Sequence, residues 1–224
     1  MTGRFPDLSG LESAGRGGSL HRIDLGSVQR RRKLVLLIAI IAATLVMFVM
    51  GPAIPAGTWR HYAIEGAGTA LILLCIVGRT WTALYISGIK RVNLVHAGPY
   101  SIVRNPLYVF SVLGAAGVGL WTGSLSAGIV LGAVTLAVFH VVVCSEEKFL
   151  LQKFGADYAG YMAAVPRWLP APARWQGAEW VTIRPALVTS TFIESSCFLL
   201  AIPVLEAVEY FQESGALPVL FRLV

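Results

Sequence analysis

Five long apolar runs constrain this chain more than any other feature. Residues 34–50 carry no charge. Residues 63–87 are interrupted only by Glu65 and Arg79. Residues 107–121 and 125–144 form a closely spaced uncharged pair, and residues 187–208 hold Glu194 and Glu206. A helix needs roughly 17–25 apolar residues to cross a bilayer, so four runs are long enough and 107–121 is short. Lipid offers no partner to a backbone N–H or C=O, which leaves helices as the expected spanning form. With 56% hydrophobic and 13% charged residues, the composition excludes a disordered chain and argues against a water-soluble globule. The expected fold class is all-α: a polytopic transmembrane helical bundle of about five spans.

Charge placement gives an expected orientation. Of the 18 Lys and Arg residues, 15 lie in segments 1–33, 88–106 and 145–186, and only Arg60 and Arg222 lie in the segments on the other side. Basic residues concentrate in cytosolic loops, so those three segments are expected to be cytosolic and the C-terminus to face the opposite side. The net charge of +6 is this topology signal and does not point to nucleic acid. Residues 1–33 read as a flexible basic arm touching anionic lipid, not as a cleaved signal. Residues 34–170 read as the membrane core. Residues 171–224 read as a Trp-anchored interfacial connector plus an added C-terminal helix.

Turn residues organise the runs. Trp121-Thr122-Gly123-Ser124 predicts a tight turn joining two antiparallel helices, and Gly51–Gly57 with its two prolines predicts an outer turn. Pro106 suits the first position of a helix, where its missing N–H is harmless. Residues 146–163 have helical spacing with Gly155 as a weak point. Cys75, Cys144 and Cys197 have no metal spacing and no disulfide framework, so packing is their expected role. His21 and His61 read as peripheral. No His/Cys/Asp grouping has ligand spacing, and no metal site is expected.

Two polar clusters could carry chemistry. The loop His96-Ala97-Gly98-Pro99-Tyr100-Ser101-Ile102-Val103-Arg104-Asn105-Pro106-Leu107-Tyr108 sits between two apolar runs. Gly98 lets backbone approach a ligand. Arg104 offers a planar fork suited to a carboxylate. Tyr100 and Tyr108 offer ring faces and hydroxyls, and Asn105 an amide. An interfacial turn built of the same residues is the plain alternative. Glu146 and Glu147 oppose the basic trend at the same face. Neighbours on a helix point about 100° apart, so one can face a ligand cation while the other pairs with Arg79 or Arg104. Arg79 and Glu194 lie inside runs, where ionisable groups are paired or functional, although Arg79 can also snorkel.

His96-x-Gly98-Pro99-Tyr100, Arg104-Asn105-Pro106-x-Tyr108, a hydrophobic hairpin, Glu146-Glu147, Tyr158-x-x-Tyr161 and Val165-Pro166-Arg167 together resemble the isoprenylcysteine carboxyl methyltransferase and phospholipid methyltransferase superfamily. The resemblance implies an integral membrane enzyme that takes S-adenosylmethionine from the cytosol and methylates a lipophilic acceptor entering from the bilayer. It implies a cofactor site at His96, Gly98, Tyr100, Arg104, Asn105, Pro106, Tyr108, Glu146 and Glu147. Chemistry fits: Arg104 for the cofactor carboxylate, Glu146 or Glu147 for its ammonium, and Tyr100 and Tyr108 against adenine or sulfonium. Arg167 is the expected clamp for an acceptor carboxylate. An amine acceptor, such as an aminophospholipid, would need a base, from the Glu pair or His96, and Arg167 would then hold phosphate. The same architecture also resembles part of the nicotinamide-dependent sterol reductases, and a non-enzymatic scaffold is the remaining class. Two departures stand out: Phe110 replaces a glycine common in the superfamily, and a further hydrophobic run follows Pro170. That extra helix is expected to serve self-association or to shape substrate entry, a role the resemblance does not supply.

Overall fold

The computed structural model describes residues 50–52, 58–87, 94–217 and 221–223. The basic arm, the apolar run up to residue 49 and most of the Gly51–Gly57 turn lie outside the described residues. Helix α1 (Trp59–Ile86) is followed by one turn, α2 (Pro99–Ile102), then α3 (Pro106–Leu120), α4 (Leu125–Phe154) and α5 (Ala156–Ala164). A 3-10 turn at Pro172–Arg174 leads to α6 (Pro185–Ser196), a second 3-10 turn (Cys197–Leu200) and α7 (Ala201–Glu213). The β-pairing among the described residues is one short parallel contact, β1 (Met50–Pro52) with β2 (Phe221–Leu223). The protein is a polytopic helical membrane protein: among the described residues three helices, Trp59–Ile86, Leu125–Phe154 and Pro185–Gln212, are long and apolar enough to span. At 1.5 Å per residue, α3 reaches only about 22 Å, short of a hydrocarbon core of about 30 Å.

Small residues draw the helices together. A Cβ on Gly68 would lie 2.6 Å from the Gly117 carbonyl oxygen, and one on Gly117 would lie 2.7 Å from that of Gly68. A Cβ on Gly119 would meet the Ala127 backbone at 2.5 Å. Lipid tails are as apolar as leucine, so close backbone contact rather than hydrophobicity holds such helices. The predicted hairpin is present. Gly123 adopts φ 71° in the turn, and Ser124 caps α4 by accepting the Ala127 N–H at 3.2 Å. Pro106 occupies the first turn of α3 as expected. Phe110 finds its place on Gly78, whose missing Cβ leaves the hollow that the ring fills (a Cβ there would lie 2.3 Å from the ring). A glycine on α1 thus accommodates the aromatic that replaces one on α3.

The C-terminal helix is continuous except at Cys197–Leu200. Pro203 accounts for that 3-10 turn, since it lacks an N–H and crowds the carbonyl four residues back. Its ion-pair partner is α1: Arg79 Nη2 lies 3.8 Å from Glu194, and Arg79 Nε donates to Ser195 Oγ at 2.7 Å. Arg79 also donates to Ser111 on α3, so this cation ties three helices. His61, read from sequence as peripheral, is instead 2% exposed. The Gly123 turn lies directly against its ring, which no local pattern around His61 could announce.

Candidate functional site

The end of the bundle that carries residues 94–106 is built by backbone. Gly98 adopts φ 61°, and a Cβ there would lie 2.3 Å from the Tyr85 ring, so both conformation and contact demand glycine. The loop is then stitched to the 166–176 connector. Gly98 N–H donates to the Gln176 carbonyl at 2.7 Å, Arg104 N–H to that of Pro166 at 2.9 Å, and Ala171 N–H to that of Ile102 at 2.9 Å. Ser101 Oγ accepts the Gln176 N–H at 2.9 Å and donates to the Gly98 carbonyl at 2.6 Å. Trp175 of the connector stacks on Trp81 of α1, with ring centroids 5.7 Å apart.

Within this frame α4 continues through the Glu pair to Phe154 and so turns the two carboxylates to different sides. Glu147 is buried between two arginines: Arg104 Nη1 lies 3.2 Å from it, and Arg167 donates through Nε at 3.1 Å and Nη2 at 2.6 Å. That pairing holds the Arg167 guanidinium above its ordinary pKa, the hydrogen bond to Glu147 being the main cause. Glu146 accepts the Tyr108 hydroxyl at 2.9 Å, and the Tyr108 ring packs on Phe139 at 4.7 Å. Asn105 Nδ2 donates to the Arg167 carbonyl at 3.4 Å.

The ion pair of Arg104 is not aligned as a hydrogen bond. Its Nε and Nη1 are buried without a hydrogen-bond partner among the described residues, and so is the Tyr100 hydroxyl. Burial pushes the Tyr100 phenol well above its usual pKa, with Tyr161 adding to the effect. Burial likewise raises Tyr161, and pushes Tyr158 up to about 12, with Glu147 contributing. Tyr161 donates to the Tyr100 carbonyl at 2.8 Å. These phenols are neutral donors at any ordinary pH.

A cleft of about 830 Å³ opens beside this cluster, lined by His96, Ser101, Asp157, Tyr161, Arg174 and Gln176 among others. The structure thus brings Arg104, Asn105, Tyr108, Glu146, Glu147 and Arg167 together, and places Tyr100 behind them through Tyr161. His96 is exposed at the cleft mouth, its Nδ1 3.3 Å from the Leu94 carbonyl. Pro106 is fully buried at the start of α3. Asp157, Arg174 and Gln176 were missed by the sequence reading. Each is an ordinary polar residue in a polar stretch, and only the folding of the connector onto the loop brings them to the cleft.

A family model described as phospholipid methyltransferase matches residues 64–157, from α1 through the Glu pair. The cobalt-zinc-cadmium resistance protein CzcN of Cupriavidus metallidurans is 34% identical over 161 residues, covering 72% of this chain and 74% of that protein. This chain belongs to the phospholipid methyltransferase family. The nickel-cobalt-cadmium resistance protein NccN of Alcaligenes xylosoxydans xylosoxydans is 28% identical over 194 residues, covering 87% and 91% respectively. No solved structure matches. Members of the phospholipid methyltransferase family generally use S-adenosylmethionine. The matched region contains Arg104, Tyr108, Glu146 and Glu147, whereas Arg167, the connector and the C-terminal helix lie beyond it.

Proposed function

We propose that this chain is an integral membrane methyltransferase that binds S-adenosylmethionine at the Arg104 cluster and methylates a lipophilic acid. The observation that carries the reading is Arg104 itself: a buried guanidinium, on the family's motif, with two nitrogens that no described residue hydrogen-bonds. Arg104 is charge-paired with Glu147, but buried donors left without a hydrogen bond are costly, and a ligand carboxylate meets their need. S-adenosylmethionine, when bound, supplies a methyl group on a positively charged sulfur. Arg104 would hold its carboxylate, and Glu146, oriented by Tyr108, its ammonium. Glu147 positions both arginines. The buried rings of Tyr100, Tyr108 and Tyr158 limit the room for water at the site, which favours transfer between aligned groups.

The acceptor preference follows from the proton inventory. Glu147 has its oxygens engaged by two guanidinium groups, Glu146 accepts the Tyr108 hydroxyl and serves the cofactor ammonium in this reading, Tyr100, Tyr158 and Tyr161 stay protonated, and His96 faces solvent. A carboxylate acceptor needs no base, and Arg167 has its third nitrogen, Nη1, to hold one. The first test is calorimetric titration of the detergent-purified protein with S-adenosylmethionine. Saturable binding is expected, with at least about a hundredfold loss in Arg104→Ala. Equal affinity in a folded variant would overturn the site. A base-labile methyl ester in lipid extracts would support the acid; a base-stable N-methyl amine would move the assignment to an aminophospholipid. Retention of a nicotinamide cofactor instead would favour a reductase. The two relatives' names supply a physiological setting, and deletion of the chain from its host is expected to lower tolerance to zinc, cobalt or cadmium.

A further inference from the structure

At the other end of the bundle three metal-ligating groups meet. His61 Nε2 lies 3.0 Å from Glu65 Oε1, one turn along α1, and 3.8 Å from Glu209 Oε1 on α7. One ligand atom from each lies within 4.8 Å of the others. We propose that His61, Glu65 and Glu209 bind a divalent transition cation, a site separate from the methyl-transfer reading and independent of it.

Three observations carry the proposal. The two separations from His61 suit one coordination sphere: ligands about 2.0–2.2 Å from a tetrahedral ion sit about 3.3–3.6 Å from each other, and 3.0 and 3.8 Å bracket that range, with all three ligand atoms within 4.8 Å. The second is the burial and aim of the ring. His61 is buried with Nε2 turned to both carboxylates, so a neutral imidazole with its proton on Nδ1 presents the Nε2 lone pair to them, the form in which histidine ligates a metal. The third is architecture. His61 is fixed by the Gly123 turn, while Glu65 and Glu209 are partly exposed, so the protein supplies three ligands and leaves a fourth position open to water. Imidazole with two carboxylates suits Zn²⁺, Co²⁺ or Ni²⁺ rather than a thiolate-seeking ion.

The test is titration of Co²⁺ into the full-length, untagged, detergent-purified protein, followed by visible absorption and calorimetry. One Co²⁺ per chain is expected, displaced by Zn²⁺. His61→Ala abolishes it, and Glu209→Gln, a near-isosteric change at a partly exposed position, weakens it by at least about tenfold. Absence of saturable binding by the folded wild-type chain, or wild-type affinity in Glu209→Gln, overturns the site. Titration of the same samples with S-adenosylmethionine separates the two readings. Cobalt binding without cofactor binding removes only the methyltransferase assignment, and the reverse removes only the cation site.

Discussion

The two ends of the bundle hold similar charges in different ways. At one end Glu147 is clamped by Arg104 and Arg167, and the loop bearing Arg104 is stitched to the connector by several backbone hydrogen bonds. At the other end His61, Glu65 and Glu209 meet from two helices, and two of the three are partly exposed. In the first, two guanidinium groups share Glu147, and Arg104 keeps nitrogens that no described residue hydrogen-bonds. In the second, two carboxylates face one imidazole nitrogen. Open guanidinium donors suit an anionic ligand, and carboxylates around an imidazole suit a cation. On the two proposals the ends take ligand groups of opposite sign.

Glu147→Ala should break this comparison most severely. It leaves two guanidinium groups facing each other with no counter-ion, a change that typically costs about 3–5 kcal/mol for a buried pair. Thermal unfolding in detergent should show a large drop in Tm, whereas Glu146→Ala should leave Tm nearly unchanged and weaken cofactor binding. Equal Tm losses in the two variants would contradict the division of labour between them. Next in size is Gly98→Ala. A left-handed conformation costs a non-glycine residue about 1–2 kcal/mol, and the methyl group would press on Tyr85. Loss of cofactor affinity with helical content retained is the expected readout by calorimetry and circular dichroism.

Tyr108→Phe removes the hydroxyl that orients Glu146. A single hydrogen bond is worth about 1 kcal/mol, so about a fivefold loss of cofactor affinity is expected, with unchanged visible absorption from Co²⁺ at the far end. The smallest effect is on pH. The Tyr158 phenol is raised from 10.0 to about 12 in the folded protein. A group whose pKa rises on folding stabilises fully below its unfolded value and loses that contribution as pH climbs through the folded one. Stability should therefore hold to pH 10 and fall between pH 10 and 12. Tyr158→Phe should flatten part of that fall in an alkaline unfolding series.

Much of this protein was legible in the order of its residues. Apolar run length marks the three long helices, the Trp121–Ser124 turn marks the hairpin, and Pro106 marks the start of α3. Each signal is local, because hydrophobic transfer, turn conformation and proline geometry act over a few residues. The gathering of Arg104, Tyr108, Glu146 and Glu147 was legible through a family pattern. Which glutamate meets which partner was not, because it depends on how far α4 rotates against α3 and where Arg167 returns. The tertiary structure decided that Glu147 is shared by two arginines and that Glu146 belongs to Tyr108. It also decided that Phe110 fits over Gly78, and that His61 is buried beside a carboxylate from the far end of the chain. Those contacts are set by glycine-mediated helix approach across long sequence separations, and spacing along one chain carries no record of it.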